Sequence, residues 1–213
     1  MNRVLILSAG NFGREVLDWL RDIPEEERDW EIGGFLDSRS SVLDGFQCEY
    51  GILGDPFSFE LRTTDRVVCA IGEPKPKLEY CRALKAKGAE FMALVHPTAV
   101  IGSRCTIGDG CVVCPGAIVS TGAQLGNYAT LNLNATVGHD AVIGDGCTLS
   151  PHADVTGWAV LGEGVFMGSH ASVLPRVEVG AYAVVGAGSV AVTAVKAGAT
   201  VFGVPARQVL SPR

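Results

Sequence analysis

The sequence predicts a small open α/β domain followed by a parallel β-helix, and two observations support this fold class. From Val95 to Val185 every sixth residue is Val, Ile, Leu or Met, and the fifth residue of each six is Ala, Cys, Ser or Val. A period of six fits neither the 3.6-residue repeat of a helix nor the two-residue alternation of an ordinary strand. Ahead of this repeat, apolar strands alternate with helical patterns, which is typical of a parallel sheet with helices.

The hexads predict the geometry of the second domain. Each hexad forms one short strand and a corner, and three hexads close a triangular coil of about 18 residues. The aliphatic residue points into the prism and the small one fills space beside it. The second residue is often Gly, as at Gly102 and Gly108, and we expect it to let the backbone bend at the corner. Residues 95–190 then give about five coils and a length of ~25 Å.

The first third of the chain reads as a small Rossmann-like sheet. Its predicted elements, in order, are a strand at 4–7, a helix through 15–20, strands at 32–36 and 67–71, and a helix at about 77–87. Pro24 and the acidic run after it end the first helix and begin a loop. The predicted division is therefore an α/β domain at 1–94, a β-helix at 95–190 and a C-terminal tail at 191–213.

Composition limits the possible functions. The 213-residue chain carries a net charge of −6, which gives no reason to expect nucleic acid as a partner. It has seven Cys, and several occupy the inward slot of a hexad, which favours a reducing compartment. Cys111 and Cys114 form a lone CxxC without a second pair, so no metal is expected there. No signal peptide precedes residue 8, and the apolar stretch 184–204 fits the solenoid better than a membrane span. We expect a cytoplasmic protein.

The turn from Gly10 to Gly13 is a candidate nucleotide-binding loop. It joins a strand to a helix, where backbone N–H groups and the helix N-terminus can face a phosphate. Asp37 follows the next strand at the place of a ribose-binding acid, and Gly72 follows another strand. The carboxyl ends of such strands meet at one crevice. The alternative is a tight turn that needs Gly for packing and binds nothing, because Ser8 replaces the first Gly of G-x-G-x-x-G.

His139 is the candidate catalytic residue. It lies in the third place of its hexad, and Asp140 follows directly. A carboxylate beside a neutral imidazole fixes its tautomer and raises its basicity, as a general base requires. Asn132, one strand earlier, could hold an acceptor group. The alternative is a surface histidine with an incidental acidic neighbour.

His152 and His170 are the other candidate ligands in the repeat. They lie three hexads apart, so they should occupy one column on adjacent coils, ~5 Å from each other. Stacked histidines could share a metal, as in the gamma-type carbonic anhydrases. Those enzymes use a more closely spaced pair and a third His, a pattern that this sequence lacks. A pocket-lining role is favoured.

The whole chain resembles the PglD/NeuD-type sugar acetyltransferases of the left-handed β-helix, or hexapeptide-repeat, superfamily. The hexads alone would indicate only the superfamily, and the order of the other motifs narrows the resemblance. These motifs are Ser8–Glu15, Asp37-Ser38, Ala70–Gly72, His96-Pro97, Asn132, Gly138–Asp140 and Gly203–Arg207. The resemblance implies a left-handed coil, acetyl-CoA as acetyl donor, an amino or hydroxyl group of a sugar as acceptor, and a place in glycan biosynthesis.

The resemblance also assigns roles to residues. His139 is implied as the base and Asp140 as its orienting partner. Gly10, Asn11, Phe12, Asp37, Ser38 and Gly72 are implied to bind a nucleotide-linked sugar, with Asn132 near the acceptor amine. Acetyl-CoA is implied to lie in the groove between two prisms, near Thr148, Gly157, Ser169 and Ala187. Some relatives have His in place of Thr148, and Asp37-Ser38 replaces a paired acid. Lys196, Arg207 and Arg213 could meet the phosphates of CoA or only solvate the tail.

Outward-pointing apolar residues on the prism suggest an assembly. Val112, Ile118, Val142 and Val160 are expected outside the coil, and apolar faces of that extent normally meet a partner. Three-fold closure suits a triangular solenoid, so a homotrimer is expected. The favoured function is N-acetylation of a nucleotide-linked amino sugar. The alternatives are a sialic-acid-type sugar O-acetyltransferase, a metal-dependent lyase and a noncatalytic scaffold.

Overall fold

The N-terminal part is a five-stranded parallel sheet with helices on both faces. The computed structural model describes residues 2–209. The elements are β1 (Asn2–Leu7), α1 (Asn11–Asp22), β2 (Trp30–Leu36), β3 (Ile52–Gly54), β4 (Asp65–Cys69), α2 (Pro74–Ala86) and β5 (Glu90–Phe91), with a short 3₁₀ turn at Glu25–Glu27. The strand order is β3-β2-β1-β4-β5, and every pair is parallel.

Strand β1 shows why this sheet forms. Val4 and Ile6 pack into the cluster that contains α1, whereas Leu5 and Leu7 pack into the cluster that contains α2. A parallel strand buried on both faces reads as a continuous apolar run, which is the pattern of Val4–Leu7. Helix α2 begins at Pro74, before the predicted Lys77, because Pro is well tolerated in the first turn. Strand β3 was not predicted, since three edge residues carry too little pattern.

The rest of the chain winds into a prism with three walls. The two-residue strands are β6 (Leu94–Val95), β7 (Val100–Ile101), β8 (Thr106–Ile107), β9 (Val112–Val113), β10 (Ile118–Val119), β11 (Gln124–Leu125), β12 (Thr130–Leu131), β13 (Thr136–Val137), β14 (Val142–Ile143), β15 (Thr148–Leu149), β16 (Asp154–Val155), β17 (Val160–Leu161), β18 (Phe166–Met167), β19 (Ser172–Val173), β20 (Glu178–Val179), β21 (Val184–Val185) and β22 (Val190–Ala191). Each pairs in parallel with the third strand before and after it, as Val119 does with Ile101 and Val137. The predicted coil of three hexads is confirmed.

We name the walls by their strands. Wall 1 runs from β6 through β9, β12, β15, β18 and β21, wall 2 from β7 to β22, and wall 3 from β8 to β20. The aliphatic and small residues of the hexads form one buried core along the prism. The corner between walls 1 and 2 is called corner 1–2, and the corner between walls 2 and 3 is called corner 2–3.

The corners bend in a different way from the expected one. After the first hexad, the backbone enters the left-handed region at the fourth residue of every hexad, for example at Asn134 (φ 56°) and Gly122 (φ 73°). The second-place glycines are needed for another reason. A Cβ at Gly102 would lie 2.6 Å from the backbone N of Thr121 in the next coil. These glycines therefore permit close stacking of coils, and the prediction that they make the bend was wrong.

The coil stacking continues beyond Val190. Val195 bridges to Val179 in wall 3, and strand β23 (Thr200–Phe202) pairs with β21 in wall 1. Strand β24 (Arg207–Val209) then runs back antiparallel to β23. Most of the predicted tail is thus structured as the end of the prism, whereas Arg213 lies outside the described residues.

The α/β domain packs against wall 1. Leu94, Val112 and Cys114 of the solenoid belong to the same buried cluster as α1, and ion pairs join Arg82 to Glu163 and Lys85 to Asp109. Val112 points out of the prism, as predicted, but the α/β domain of the same chain buries it fully, so the expectation that it offers apolar surface to a partner was wrong. Ile118 and Val160 are exposed, on walls 2 and 3, and Val142 is half-buried.

Candidate active site

The candidate catalytic pair lies on corner 2–3. Asp140 is the corner residue in the left-handed conformation (φ 57°), which brings its carboxylate beside the preceding side chain. His139 Nδ1 and Asp140 Oδ2 are 2.9 Å apart. The imidazole is 56% exposed, so a solute can reach it. The carboxylate accepts a hydrogen bond from Nδ1–H, and this leaves Nε2 as the basic nitrogen.

Gly157 lies directly against the basic nitrogen. It occupies the equivalent place in the next coil, and a Cβ at Gly157 would come 2.5 Å from His139 Nε2. Any larger residue would displace the imidazole. Among residues 2–209 no hydrogen bond reaches Nε2. The nitrogen therefore faces open space beside a bare backbone, as a proton acceptor for an external group must.

Two further side chains extend from the same corner in the next coils. The Trp158 ring lies edge-to-face with the His139 ring at 6.2 Å between centroids. The Arg176 guanidinium carbon lies 5.5 Å from the centroid of the Trp158 ring. The three side chains form a short ladder along corner 2–3, with the imidazole at its N-terminal end.

Corner 1–2 carries another group of predicted residues. Asn132 follows β12, Ser169 follows β18 and Ala187 follows β21, so all three lie on one corner, with the turn after β15 between the first two. Asn132 Oδ1 accepts a hydrogen bond from the N–H of Leu133 at 2.7 Å, which leaves its amide N–H₂ to donate. Wall 2 separates this group from His139 within one chain.

Asp37 lies just after the carboxyl end of β2. Its carboxylate connects the loop that follows β1 to the loop that follows β2. One oxygen accepts the backbone N–H of Ala9 and the other accepts the backbone N–H of Arg39, each at 2.9 Å. The guanidinium of Arg39 binds both oxygens at 2.8 and 2.9 Å. Burial alone would raise the pKa of Asp37, but these bonds lower it to about 2. The carboxylate is therefore ionised and occupied by protein donors.

A cavity of about 370 Å³ opens where β1, β2 and β4 end. Asp37 and Ser38 line it, as predicted, together with Ser8 and Arg39. Ile71 and Glu73 lie on its far side, flanking Gly72, and Tyr80 of α2 contributes an aromatic ring. The cavity thus combines an exposed guanidinium, hydroxyl groups and an aromatic side chain.

The residues of the Gly10–Phe12 loop lie in different surroundings. Asn11 lines a separate cleft of about 750 Å³ along α1 and accepts a hydrogen bond from Arg14. Phe12 turns towards the core and packs on Trp19 at 5.7 Å between ring centroids. A Cβ at Gly13 would lie 2.1 Å from the carbonyl oxygen of Ser8, so this Gly is required for packing. Gly10 meets only ordinary contacts, and it remains free to approach a ligand.

Thr148 lies beneath the α/β domain rather than in an open groove. Its hydroxyl donates to the carbonyl of Gly72 at 2.6 Å and accepts from Lys77 Nζ at 2.7 Å. The Lys77 ammonium is fully buried and also donates to Thr130 Oγ1 and to the carbonyl of Cys147. Burial lowers the pKa of Lys77. Thr148 and Gly72, predicted to contact different ligands, are therefore bonded to each other.

His152 and His170 form the predicted column. The His152 and His170 rings stack at 4.7 Å between centroids with 5° between their planes. Within residues 2–209 no three His, Cys, Asp or Glu side chains come together as a metal site. Over the same residues, every helix is too short or too polar to cross a bilayer.

Several residues of the site were not predicted. Arg39 could have been found as a cation two residues after the candidate acid Asp37. Lys77 reads as an ordinary exposed helix lysine, and only the docking of α2 on wall 1 buries it. Trp158 has no sequence signal beyond its place one coil after Asp140.

Comparison with known proteins agrees with this architecture. The family model of the PglD N-terminal domain matches residues 3–84. The acetyltransferase domain of PglB from Neisseria gonorrhoeae FA1090 is 27% identical, with 98% of this chain and 100% of that chain covered and a TM-score of 0.89; it is also known in complex with acetyl coenzyme A. PerB from Caulobacter crescentus, in complex with CoA and GDP-perosamine, is 27% identical over 98% of each chain with a TM-score of 0.88.

A third solved structure extends the agreement. WeeI from Acinetobacter baumannii AYE is 26% identical, covers 98% of this chain and 100% of its own, and has a TM-score of 0.84. No curated protein sequence matches. The fold is an α/β domain followed by a left-handed β-helix, and its relatives bind CoA or acetyl-CoA. The chain therefore carries a PglD N-terminal domain and is an acyltransferase, and its whole fold is that of the left-handed β-helix sugar acetyltransferases PglB, PerB and WeeI.

Proposed function

We propose that this enzyme transfers the acetyl group of acetyl-CoA to the amino group of a nucleotide-linked amino sugar, with His139 as the general base. The observation that supports the proposal is the exposed His139–Asp140 pair, in which Asp140 occupies Nδ1 and Nε2 faces the bare backbone of Gly157. This is the arrangement that removal of a proton from an incoming amine requires.

The reaction follows from this arrangement. The acceptor amine attacks the thioester carbonyl carbon, and Nε2 takes the proton that the nitrogen loses as the new C–N bond forms. Asp140 stabilises the resulting imidazolium. The C–S bond then breaks, and the imidazolium returns its proton to the leaving thiolate. The transfer is direct, because Cys111 and Cys147 point into the prism, where their thiols donate to backbone carbonyls.

The cavity of the α/β domain is proposed to hold the nucleotide-linked part of the acceptor. Arg39 is 60% exposed at this cavity and can pair with a phosphate. Ser38 and the Gly10–Phe12 loop supply further polar and backbone contacts. Asp37 acts by holding Arg39 and the N–H of Ala9 in place, and Gly72 acts by setting one edge of the cavity. Asn132 is proposed to bind near the amino group of the sugar.

The contacts proposed for acetyl-CoA require a site shared between copies of the chain. The proposed contacts Gly157 and Ser169 lie on different corners of one prism, with Ala187 beside the latter. A second copy of the chain can bring both corners to one groove, and exposed Ile118 and Val160 supply apolar contact area. Thr148 is proposed to act indirectly, through Gly72. We propose a homotrimer, and sedimentation that gives a monomer at micromolar concentration would contradict it.

The division of labour along the chain follows. Residues 1–94 are proposed to bind the nucleotide sugar, residues 95–190 to carry the acetyl transfer, and the C-terminal segment to lie near CoA, where Lys196 and Arg207 can meet phosphates. The seven free cysteines and the acetyl-CoA requirement favour the cytoplasm. The product would enter glycan biosynthesis.

The test is a steady-state assay of CoA release with a panel of nucleotide-linked amino sugars that includes GDP-perosamine. We expect one of them to be acetylated on nitrogen. His139→Ala should lower kcat by ~10²–10⁴-fold without changing the melting temperature. His152→Ala, another exposed imidazole of the prism, serves as the matched control and should retain the rate. A retained rate in His139→Ala would remove His139 from the mechanism, and acetylation on oxygen would indicate the sialic-acid-type alternative.

A further inference from the structure

We propose that Gly122 is a positioning residue for His139, because its missing side chain leaves the space in which the Asp140 carboxylate lies while it holds the imidazole. The proposal rests on the proposed function, since it takes His139 as the general base. It goes further by naming the residue that sets the carboxylate in place. Gly122 itself touches no substrate and acts only through Asp140.

The residue types along corner 2–3 single out Gly122. Five successive coils place the fourth residue of a hexad in the left-handed region there, with φ between 57° and 73°. These residues are Arg104, Gly122, Asp140, Trp158 and Arg176. Gly122 is the one glycine of the five, and it lies one coil before Asp140. Because the other four places carry a side chain in the same conformation, the winding of the coil does not require Gly at this place.

The Asp140 carboxylate occupies the volume that a side chain at Gly122 would fill. A Cβ at Gly122 would lie 2.6 Å from Asp140 Oδ1 and 3.5 Å from its carboxyl carbon. The other oxygen, Oδ2, lies 2.9 Å from His139 Nδ1. One carboxylate thus makes two contacts, since Oδ1 lies over the empty place in the preceding coil and Oδ2 accepts the imidazole N–H. An atom in the empty place would push the carboxylate away from its present position.

This contact differs from those of the stacking glycines. At Gly138, in the second place of its hexad, an added Cβ would lie 2.5 Å from the backbone N of Gly157, and a backbone neighbour cannot move aside. At Gly122 the atom within 3.0 Å of the added Cβ is a carboxylate oxygen at the end of a side chain, which can rotate. A side chain at this place should therefore displace the carboxylate and leave the coil intact.

Displacement of the carboxylate changes the state of the imidazole. With Asp140 in place, Nδ1–H donates to Oδ2 and Nε2 is the basic atom. A neutral histidine side chain in water without such a partner carries its proton mainly on Nε2, which then cannot accept a proton from an amine. The imidazolium formed during the transfer also loses the adjacent negative charge that stabilises it. Gly122 therefore contributes to the reaction by keeping the imidazole in its reactive tautomer.

Nitrogen NMR of the imidazole tests the displacement directly and needs no substrate. The chain has four histidines, so isotope-labelled histidine gives four rings, and the His139→Ala variant identifies the resonances of His139. At about pH 8.5, above the usual range of imidazole pKa values, we expect the wild type to carry this proton on Nδ1 and Gly122→Ala to carry it mainly on Nε2. An unchanged tautomer in Gly122→Ala would overturn the proposal.

Kinetics with acetyl-CoA and the acceptor found in the panel provide the second readout. We expect the kcat of Gly122→Ala to fall by roughly 10–100-fold, the range found when the orienting partner of a functional histidine is lost, with both KM values unchanged. In the Asp140→Ala background the added methyl group has no carboxylate to displace, so Gly122→Ala should cause no further fall. An equal fall in both backgrounds would show that Gly122 acts independently of the carboxylate, against the proposal.

Gly198→Ala is the matched control for backbone strain. Gly198 has a φ of 69°, close to the 73° of Gly122, and no atom lies within 4 Å of its added Cβ. The two substitutions should therefore lower the melting temperature by similar amounts, while only Gly122→Ala changes kcat and the tautomer of His139. A comparable loss of kcat in Gly198→Ala would assign the effect to strain and overturn the proposal.

The experiments distinguish failure of this proposal from failure of the proposed function. If the wild type acetylates no member of the panel, the proposed function fails, and the tautomer of His139 still decides whether Gly122 positions the carboxylate. If the wild type is active and His139→Ala is not, while Gly122→Ala keeps the wild-type tautomer and rate, only the role of Gly122 is refuted.

Discussion

Asp37 illustrates how one residue organises a binding crevice without offering itself to the ligand. Its carboxylate holds the backbone of two loops and the guanidinium of Arg39. A ligand in the proposed site would then contact the guanidinium of Arg39 rather than the carboxylate of Asp37. A site that reads as acidic in the sequence is thereby able to bind an anionic group.

Asp37 also has a defined effect on stability. Its pKa is about 2 in the folded chain, below the usual range for Asp, so its contribution is complete above about pH 5 and is lost as the pH falls through 4 towards 2. Allowing for the exposure of Arg39, Asp37→Asn should lower the free energy of unfolding by about 1–2 kcal/mol at pH 7. Urea unfolding should show this difference narrowing below pH 4. Asp44→Asn, at an exposed position, is the control, and a difference independent of pH would contradict the argument.

The contact within the candidate catalytic pair could be predicted because its members are adjacent in sequence. His139 and Asp140 meet through one corner, so their contact depends on no other part of the fold. Arg39 and Trp158 could not be predicted in this way. Their positions beside Asp37 and His139 depend on which face of a loop or corner they occupy, and the spacing of residue types does not determine that. The predicted contact of Thr148 with the cofactor stays a prediction, since its burial depends on the docking of two domains.

At the scale of the element, the hexad repeat made the solenoid predictable. Each strand pairs with a copy of its own pattern three hexads away, so the register follows from the period alone. The α/β sheet gave weaker signals. Strand β3 pairs at an edge over three residues, and its pattern is too short to distinguish it from a loop. The glycines in the second place of the hexad were assigned to the bend, whereas they permit the close stacking of coils. Either role would produce a recurring Gly at that place, so the sequence does not distinguish them.

The stacking role of Gly can be tested within one element. At Gly108 an added Cβ would lie 2.6 Å from the backbone N of Asn127 and 2.6 Å from the carbonyl carbon of Gly126, and a backbone neighbour cannot move aside. Gly108→Ala should therefore lower the free energy of unfolding by roughly 1–3 kcal/mol in a urea titration. Gly51→Ala, where no atom lies within 4 Å of the added Cβ, should be neutral or slightly stabilising. Equal behaviour of the two variants would refute the stacking role.

At the scale of the whole molecule, one buried ammonium joins the two domains. Lys77 lies on α2 of the first domain, and all three of its hydrogen-bond acceptors lie on wall 1 of the prism. One of them, Thr148, donates a hydrogen bond in turn to the carbonyl of Gly72, which lies beside the cavity of the α/β domain. The cavity and the prism are therefore held in a fixed relation.

Removing this side chain should loosen the domains. Lys77→Ala leaves unpaired polar groups and a void, and should cost about 3–5 kcal/mol, whereas Lys77→Met fills the space and should cost about 1–3 kcal/mol. Calorimetry should show Lys77→Ala broadening or splitting the unfolding transition, while Lys75→Met on the exposed face of the same helix leaves it unchanged. A single unchanged transition in Lys77→Ala would show that the domains need no such connection.

The pH dependence of the same variants has a fixed sign. Burial lowers the pKa of Lys77 in the folded chain, so the unfolded chain binds more protons between the lowered pKa and the usual lysine range. The wild type therefore gains stability relative to Lys77→Met as the pH rises through that interval. Urea titrations across the alkaline range measure this difference in the free energy of unfolding. A fall in the stability of the wild type relative to Lys77→Met as the pH rises would show that the protein stabilises the ammonium instead.

The left-handed corners have a consequence for how this enzyme can diversify. Their fourth residues link successive coils through a backbone N–H, as the N–H of Trp158 does with the carbonyl of His139. Their side chains point outward, so exchanging one alters the chemistry of the surface and leaves the winding intact. Single substitutions at the corners can therefore change the surface that meets a substrate at little cost in folding stability.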